Sequence, residues 1–238
     1  MYFSAEAVVL APALLLAGIG LRARRAPLFA AVALIAAAFA TRLQPFALHT
    51  FLWAHLLQNV VLAEWAPLLL VVGFDPGLAR RVSGSLVVTG VTRPVVALPL
   101  WVGTYALWHV PTLYDAALRH PHSLLPLEHA TYVVTGIAFW WGVWQSTPRA
   151  LASIARAGYV FAAFVLSAPL GLVLALVPEP LYDAYAGAPE RVWGLSRLED
   201  QQLGGMTMAA EQSVVFFAVF AYWFLRFLSE QERLEEVA

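Results

Sequence analysis

The stretch that decides the fold is LEDQQLGGMTMAAEQSVVFFAVFAYWFL, residues 198–225. Beyond Asp200 its one charged residue up to Leu225 is Glu211. A helix needs about 20 mostly apolar residues to cross a hydrocarbon core of about 30 Å, and this stretch supplies them. Yet it opens with two acids, two amides and two glycines. Its apolar part asks for lipid, while its opening puts hydrogen-bonding groups at the point where a helix leaves water.

The remaining chain agrees with the first demand. Of its 238 residues 61% are hydrophobic and 12% charged, with a mean hydropathy of +0.72, well outside the range of ordinary soluble domains. The expectation is an all-α polytopic membrane protein: a seven-transmembrane-helix bundle forming one domain over residues 1–238, without internal repeats or separating linkers. The net charge is -1 and every base is an arginine, in singles or short clusters, so no basic field invites nucleic acid. With no cysteine, any metal must be held by His, Met, carboxylate, amide or backbone.

Segments of spanning length fall at residues 3–21, 27–43, 48–74, 94–109, 126–145, 157–177 and 201–227. The first has RARR behind it and no base ahead of it, the reverse of a signal peptide, and reads as a retained helix. Basic residues flanking spans stay on the cytoplasmic side. An outside N-terminus places ten arginines inside and leaves four, Arg42, Arg119, Arg191 and Arg197, outside, with the C-terminal tail cytoplasmic.

That topology collects all six histidines at the outer face: His49, His55, His109, His120, His122 and His129. His49, His120 and His122 suit an interface or a loop, where imidazoles commonly face headgroups. His55, His109 and His129 lie in or against apolar segments, where an imidazole is costly unless paired. His55 and Asn59 share a helix face with Gln58 beside them, and Gln201, Gly205, Met208 and Gln212 form another stripe. The glycines invite close helix approach, and the acids and amides can satisfy free N–H groups at the helix start. Met206 and Met208 suit packing as readily as ligation.

Glu64 and Glu211 fall near mid-membrane, where a carboxylate must be neutralised, paired or hydrated. A proton or cation path and a protonated or amide-bonded acid, such as Glu211 on Gln58, are both open readings. Glu64 lies about half a turn round from His55 and need not join its cluster. The Pro-rich segment 178–197, with Asp183 and Tyr185, reads as an ordered outer loop. No phosphate-binding, dinucleotide, nucleophile-elbow or His-Glu-x-x-His pattern occurs.

Four pieces, HLLQNVVLAEWAPLLLVVGFDP (55–76), WHVPTLYDAAL (108–118), LEHATYVVTGIAFWW (127–141) and LEDQQLGGMTM (198–208), resemble the CtaG family of cytochrome c oxidase assembly factors. The resemblance implies a bacterial plasma-membrane protein that serves maturation of a haem-copper oxidase. Its partners would be oxidase subunits and an extracytoplasmic copper donor, and its usual proposed role is copper supply. The family's motifs fall on His55 and Gln58, on His109 and Pro111, on Glu128 and His129, and on Asp200, Gln201, Gln202, Gly204 and Met208. Relatives commonly carry a second histidine after the glutamine; this chain has Asn59.

Imidazole and thioether both suit copper, Met favouring Cu(I), and a carboxylate commonly holds a ligating histidine in place. The resulting expectation is a non-enzymatic assembly factor with His55, His109, His129, Asp200 and Met208 around copper, and Gln58, Asn59, Glu128 and Gln201 supporting them. Alternatives are a membrane haem protein with two of these histidines on iron, and a metal-free scaffold whose polar cluster serves helix packing.

Overall fold

The computed structural model describes residues 24–188 and 192–236. Among them all regular structure is helical and no strand occurs. In chain order the helices are α1 (Arg25–Phe39), α2 (Leu43–His49), α3 (Leu52–Gly73), α4 (Pro76–Val82), α5 (Leu86–Val91), α6 (Pro94–Trp108), α7 (Pro111–Arg119), α8 (Leu124–Trp144), α9 (Ser153–Leu176) and α10 (Arg197–Glu235). The expected segment 3–21 lies outside the described residues.

Helices α3, α9 and α10 are long and apolar enough to cross a membrane, and a fourth span results if α1 and α2, bent by 52°, count as one. Helix α6 is apolar but has 15 residues. Helix α8 has 21, among them Glu128, His129, two threonines and three tryptophans that lower its hydropathy. The segment expected at 27–43 is thus broken, and His49 closes α2 instead of opening α3. Helices α4, α5 and α7 occupy stretches that read as connections.

Helix α10 shows why the pattern folds as it does. From Gly205 on, Met208, Gln212, Phe216, Val219 and Trp223 are buried at intervals of three or four, the period of one helical face, and Gly204 is buried beside Gly205. Val214, Phe217 and Leu225 on the other face stand exposed, a surface suited to lipid and a liability in water. The buried glycines let α9 and α10 approach closely: a Cβ on Gly205 would stand 2.6 Å from the Gly171 carbonyl.

In α3 a proline sets a distortion. Pro67 has no N–H to give the Ala63 carbonyl, and residues 61–65 relax into a π turn in which Ala66 N–H reaches Val61 O. The freed Ala63 carbonyl accepts the Trp101 indole N–H at 3.1 Å. Gly136 packs against the same carbonyl, where a Cβ would collide. This locks α3, α6 and α8 together and turns Glu64 wholly inward.

Candidate functional site

The polar residues that open α10 have separate tasks. Ser196 and Glu199 form a capping box, each side chain bonded to the other's backbone N–H. Asp200 caps a different helix: α3 has no capping side chain of its own at Phe51, and Asp200 accepts Leu52 N–H at 2.9 Å and Trp53 N–H at 3.1 Å. Gln201 accepts Leu181 N–H at 2.7 Å and donates to the Leu174 and Glu179 carbonyls, fastening the loop after α9. Gly204 clears the backbone of Trp53.

With the start of α3 fixed in this way, His55 faces α8. The centre there is Glu128, fully buried. Its Oε1 accepts the Asn59 amide at 3.0 Å and stands 3.6 Å from His55 Nε2. His109 and His129 also lie within electrostatic reach of this carboxylate. All three histidines are at most 4% exposed, whereas His49, His120 and His122 are on the surface.

Aromatic side chains frame the cluster. The His55 and His129 ring centroids are 6.2 Å apart, Tyr114 meets His55 edge-on at 5.1 Å, and Phe39 meets His129 at 5.2 Å. Tyr105 stacks on His109 at 5.1 Å, and its carbonyl lies 2.7 Å from His109 Nδ1. A carbonyl only accepts, so Nδ1 carries the hydrogen and Nε2 presents a lone pair. From the loop, Tyr182 donates to the His109 carbonyl at 3.0 Å and Tyr185 to the Ala47 carbonyl at 2.7 Å. Burial pushes both phenols above their ordinary range, which keeps them donors. Asp115 of α7 holds the same loop by accepting Asp183 and Ala184 N–H.

Both ring nitrogens of His55, Nε2 of His109, Oδ1 of Asn59 and Oε2 of Glu128 are buried without a hydrogen-bond partner. Groups of this kind are costly to leave unpaired. The other expected residues lie elsewhere: Gln58 donates to the Ala38 carbonyl and to Gln44, and Met208 is packed among Leu56, Val60 and their neighbours in the core. Met206 is exposed. Glu64 bonds Gln212 at 2.9 Å and faces Glu211, in place of an acid-to-Gln58 contact.

A model of the cytochrome c oxidase caa3 assembly factor family (Caa3_CtaG) matches residues 8–230. The chain belongs to this family. No curated relative and no solved structure matches it. Membership makes the chain a cytochrome c oxidase assembly factor, in a family that is not one of catalysts.

In this caa3 assembly factor, tyrosines that the expected set of histidines, acids, amides and a methionine did not include complete the centre. Their signal was helical spacing: Tyr105 precedes His109 by four, and Tyr132 follows Glu128 by four. Among the described residues no three His, Asp or Glu side chains already stand close enough to hold one ion. The 3.6 Å between His55 and Glu128 is long for a hydrogen bond. It is near the roughly 3.3 Å that separates two ligands of one tetrahedral ion at about 2.0–2.1 Å bonds.

Proposed function

We propose that this assembly factor takes up copper ions at the outer end of a seven-helix bundle and passes them to a haem-copper oxidase of the bacterial plasma membrane. The arginine distribution supports an outside N-terminus. The copper is cargo. His55 and His109 are its anchors, His129 and Glu128 close the site, and Asn59 orients the carboxylate. The observation that carries this reading is the set of unbonded, buried nitrogen and oxygen atoms on His55, His109, Asn59 and Glu128. Imidazoles are donors for copper, and uptake of the ion requires side-chain rotations that bring them and the carboxylate together. Asp200 and Gln201 act by holding α3 and the loop, so that the histidines face one another. A cargo site needs an accessible edge, and the loop at Tyr182 and Tyr185 is the cover through which a donor and an acceptor reach it.

A metal-free scaffold is the second reading, favoured by the absence of three gathered ligands among the described residues. The haem alternative draws less support, because Tyr114, Phe39 and Tyr105 occupy the space beside the imidazoles that a porphyrin would need. The test is Cu(I) titration of purified protein prepared without chelator, in competition with a chromogenic copper ligand. One tightly held ion, lost in His55→Ala plus His109→Ala, is expected. Equal retention by that variant rejects the site, no copper in either favours the scaffold, and a Soret band favours haem.

A further inference from the structure

About 14 Å along α3 from His55, nine residues at 1.5 Å each, a second polar cluster is closed within the bundle. Glu64 is 0% exposed and sits on the π turn. Its Oε1 accepts the Gln212 amide at 2.9 Å, and Gln212 Oε1 accepts the Ser167 hydroxyl at 3.3 Å. These two bonds fix the amide, so that it donates into Glu64 and marks that acid as the acceptor. Glu211 faces Glu64 from α10, with the Trp65 indole beside it. The hydroxyl of Tyr105, a residue 1% exposed, is aimed at Glu64 from α6 and has no fully formed hydrogen bond. Tyr132 of α8 faces Tyr105 in turn. The groups around the two acids are therefore phenol, indole, amide and hydroxyl, all neutral.

Two carboxylates facing each other in an apolar bundle cannot both be ionised without a compensating cation. We propose that Glu64 and Glu211 form a proton-binding site in which one exchangeable proton is shared, carried by Glu211 and accepted by Glu64. The donor arrangement decides which acid carries it: Glu64 has the formed Gln212 bond and the Tyr105 hydroxyl aimed at it, against the single Trp65 indole N–H beside Glu211. Tyr105 joins this site to the one above. Its hydroxyl faces the acids, while its ring and carbonyl hold His109. Loss of the proton adds a negative charge one tyrosine away from that imidazole. The site stands whether or not copper is the cargo.

Infrared spectroscopy of the whole protein in detergent, in H2O and then D2O buffer, tests it. At neutral pH the wild type is expected to show a protonated-carboxyl band that shifts on deuteration. Glu211→Gln abolishes the band, and Glu64→Gln keeps it at a higher frequency because the strong acceptor is gone. Absence of the band in wild type, its full survival in Glu211→Gln, or an unshifted band in Glu64→Gln overturns the proposal. The wild-type measurement decides the first point even if a variant fails to fold.

Discussion

Asp200 caps a helix to which it does not belong. Its two carboxylate oxygens receive the N–H groups of Leu52 and Trp53, 148 and 147 residues away in the chain. The start of α3, and with it the direction of His55 one turn further on, is set by α10. The polar opening of α10 is therefore the part of the bundle that aligns its neighbours.

Removing this cap tests the assignment. Asp200→Ala leaves two N–H groups without their acceptor and is expected to cost about 2 kcal/mol of stability. Thermal unfolding in detergent reads that loss. Cu(I) affinity of the folded fraction is expected to stay within a few-fold of wild type; a collapse of affinity without loss of stability would make Asp200 a ligand instead.

The carboxylate of Glu128 is expected to matter more for the ion than for the fold. Glu128→Gln keeps the shape and the Asn59 contact on one oxygen but removes the charge that faces three imidazoles. Losing an outer supporting carboxylate costs about 10- to 100-fold in metal affinity, so losing one that closes the site is expected to cost at least that much. Competition titration at constant pH measures it, and an unchanged affinity argues against a cation held at Glu128.

Asn59 lies one turn after His55, with its amide on the Glu128 carboxylate. Asn59→His adds an imidazole on the α3 face that already carries His55, beside Glu128. The expected result is a gain in Cu(I) affinity of about tenfold, or about 1.4 kcal/mol. A variant that folds and binds no better shows that this position only packs.

The glycines of α10 make a graded prediction. A Cβ on Gly205 would lie 2.5 Å from Ala175 N and 2.6 Å from Gly171 O, both backbone atoms that cannot move aside, whereas on Gly204 the nearest atom is the far end of the Leu56 side chain at 2.6 Å and the nearest backbone is Trp53 Cα at 3.2 Å. Gly205→Ala is expected to cost about 1–3 kcal/mol, Gly204→Ala less, and Gly158→Ala, which meets nothing within 4 Å, almost nothing. Melting temperatures of the three in one detergent give the order.

Much of the site was legible in the chain, because burial cost is a property of residue type. Imidazoles inside apolar segments are costly and so mark a site, and the three so placed are the three that are buried, while the histidines read as interfacial are exposed. The stripe Gln201, Gly205, Met208 and Gln212 was equally legible from helical period. Spacing along one helix says nothing about which neighbour a face meets. It therefore left Gln58 beside His55, although its amide turns to Gln44 and Ala38, and it could not show that Asp200, which the family resemblance set near copper, holds the first N–H groups of α3.

The sequence by itself determined the apolar solvent, the helical architecture, the family and the identity of the buried histidines, since these follow from composition, period and short motifs. Only the tertiary structure decided that Glu128 lies at the centre, that tyrosines frame the imidazoles, and that Glu64 meets Glu211. Those outcomes depend on the rotation and register of one helix against another. Contacts far apart in sequence set both: a proline that frees the Ala63 carbonyl for Trp101, glycines that admit a neighbouring backbone, and an aspartate that caps a distant helix.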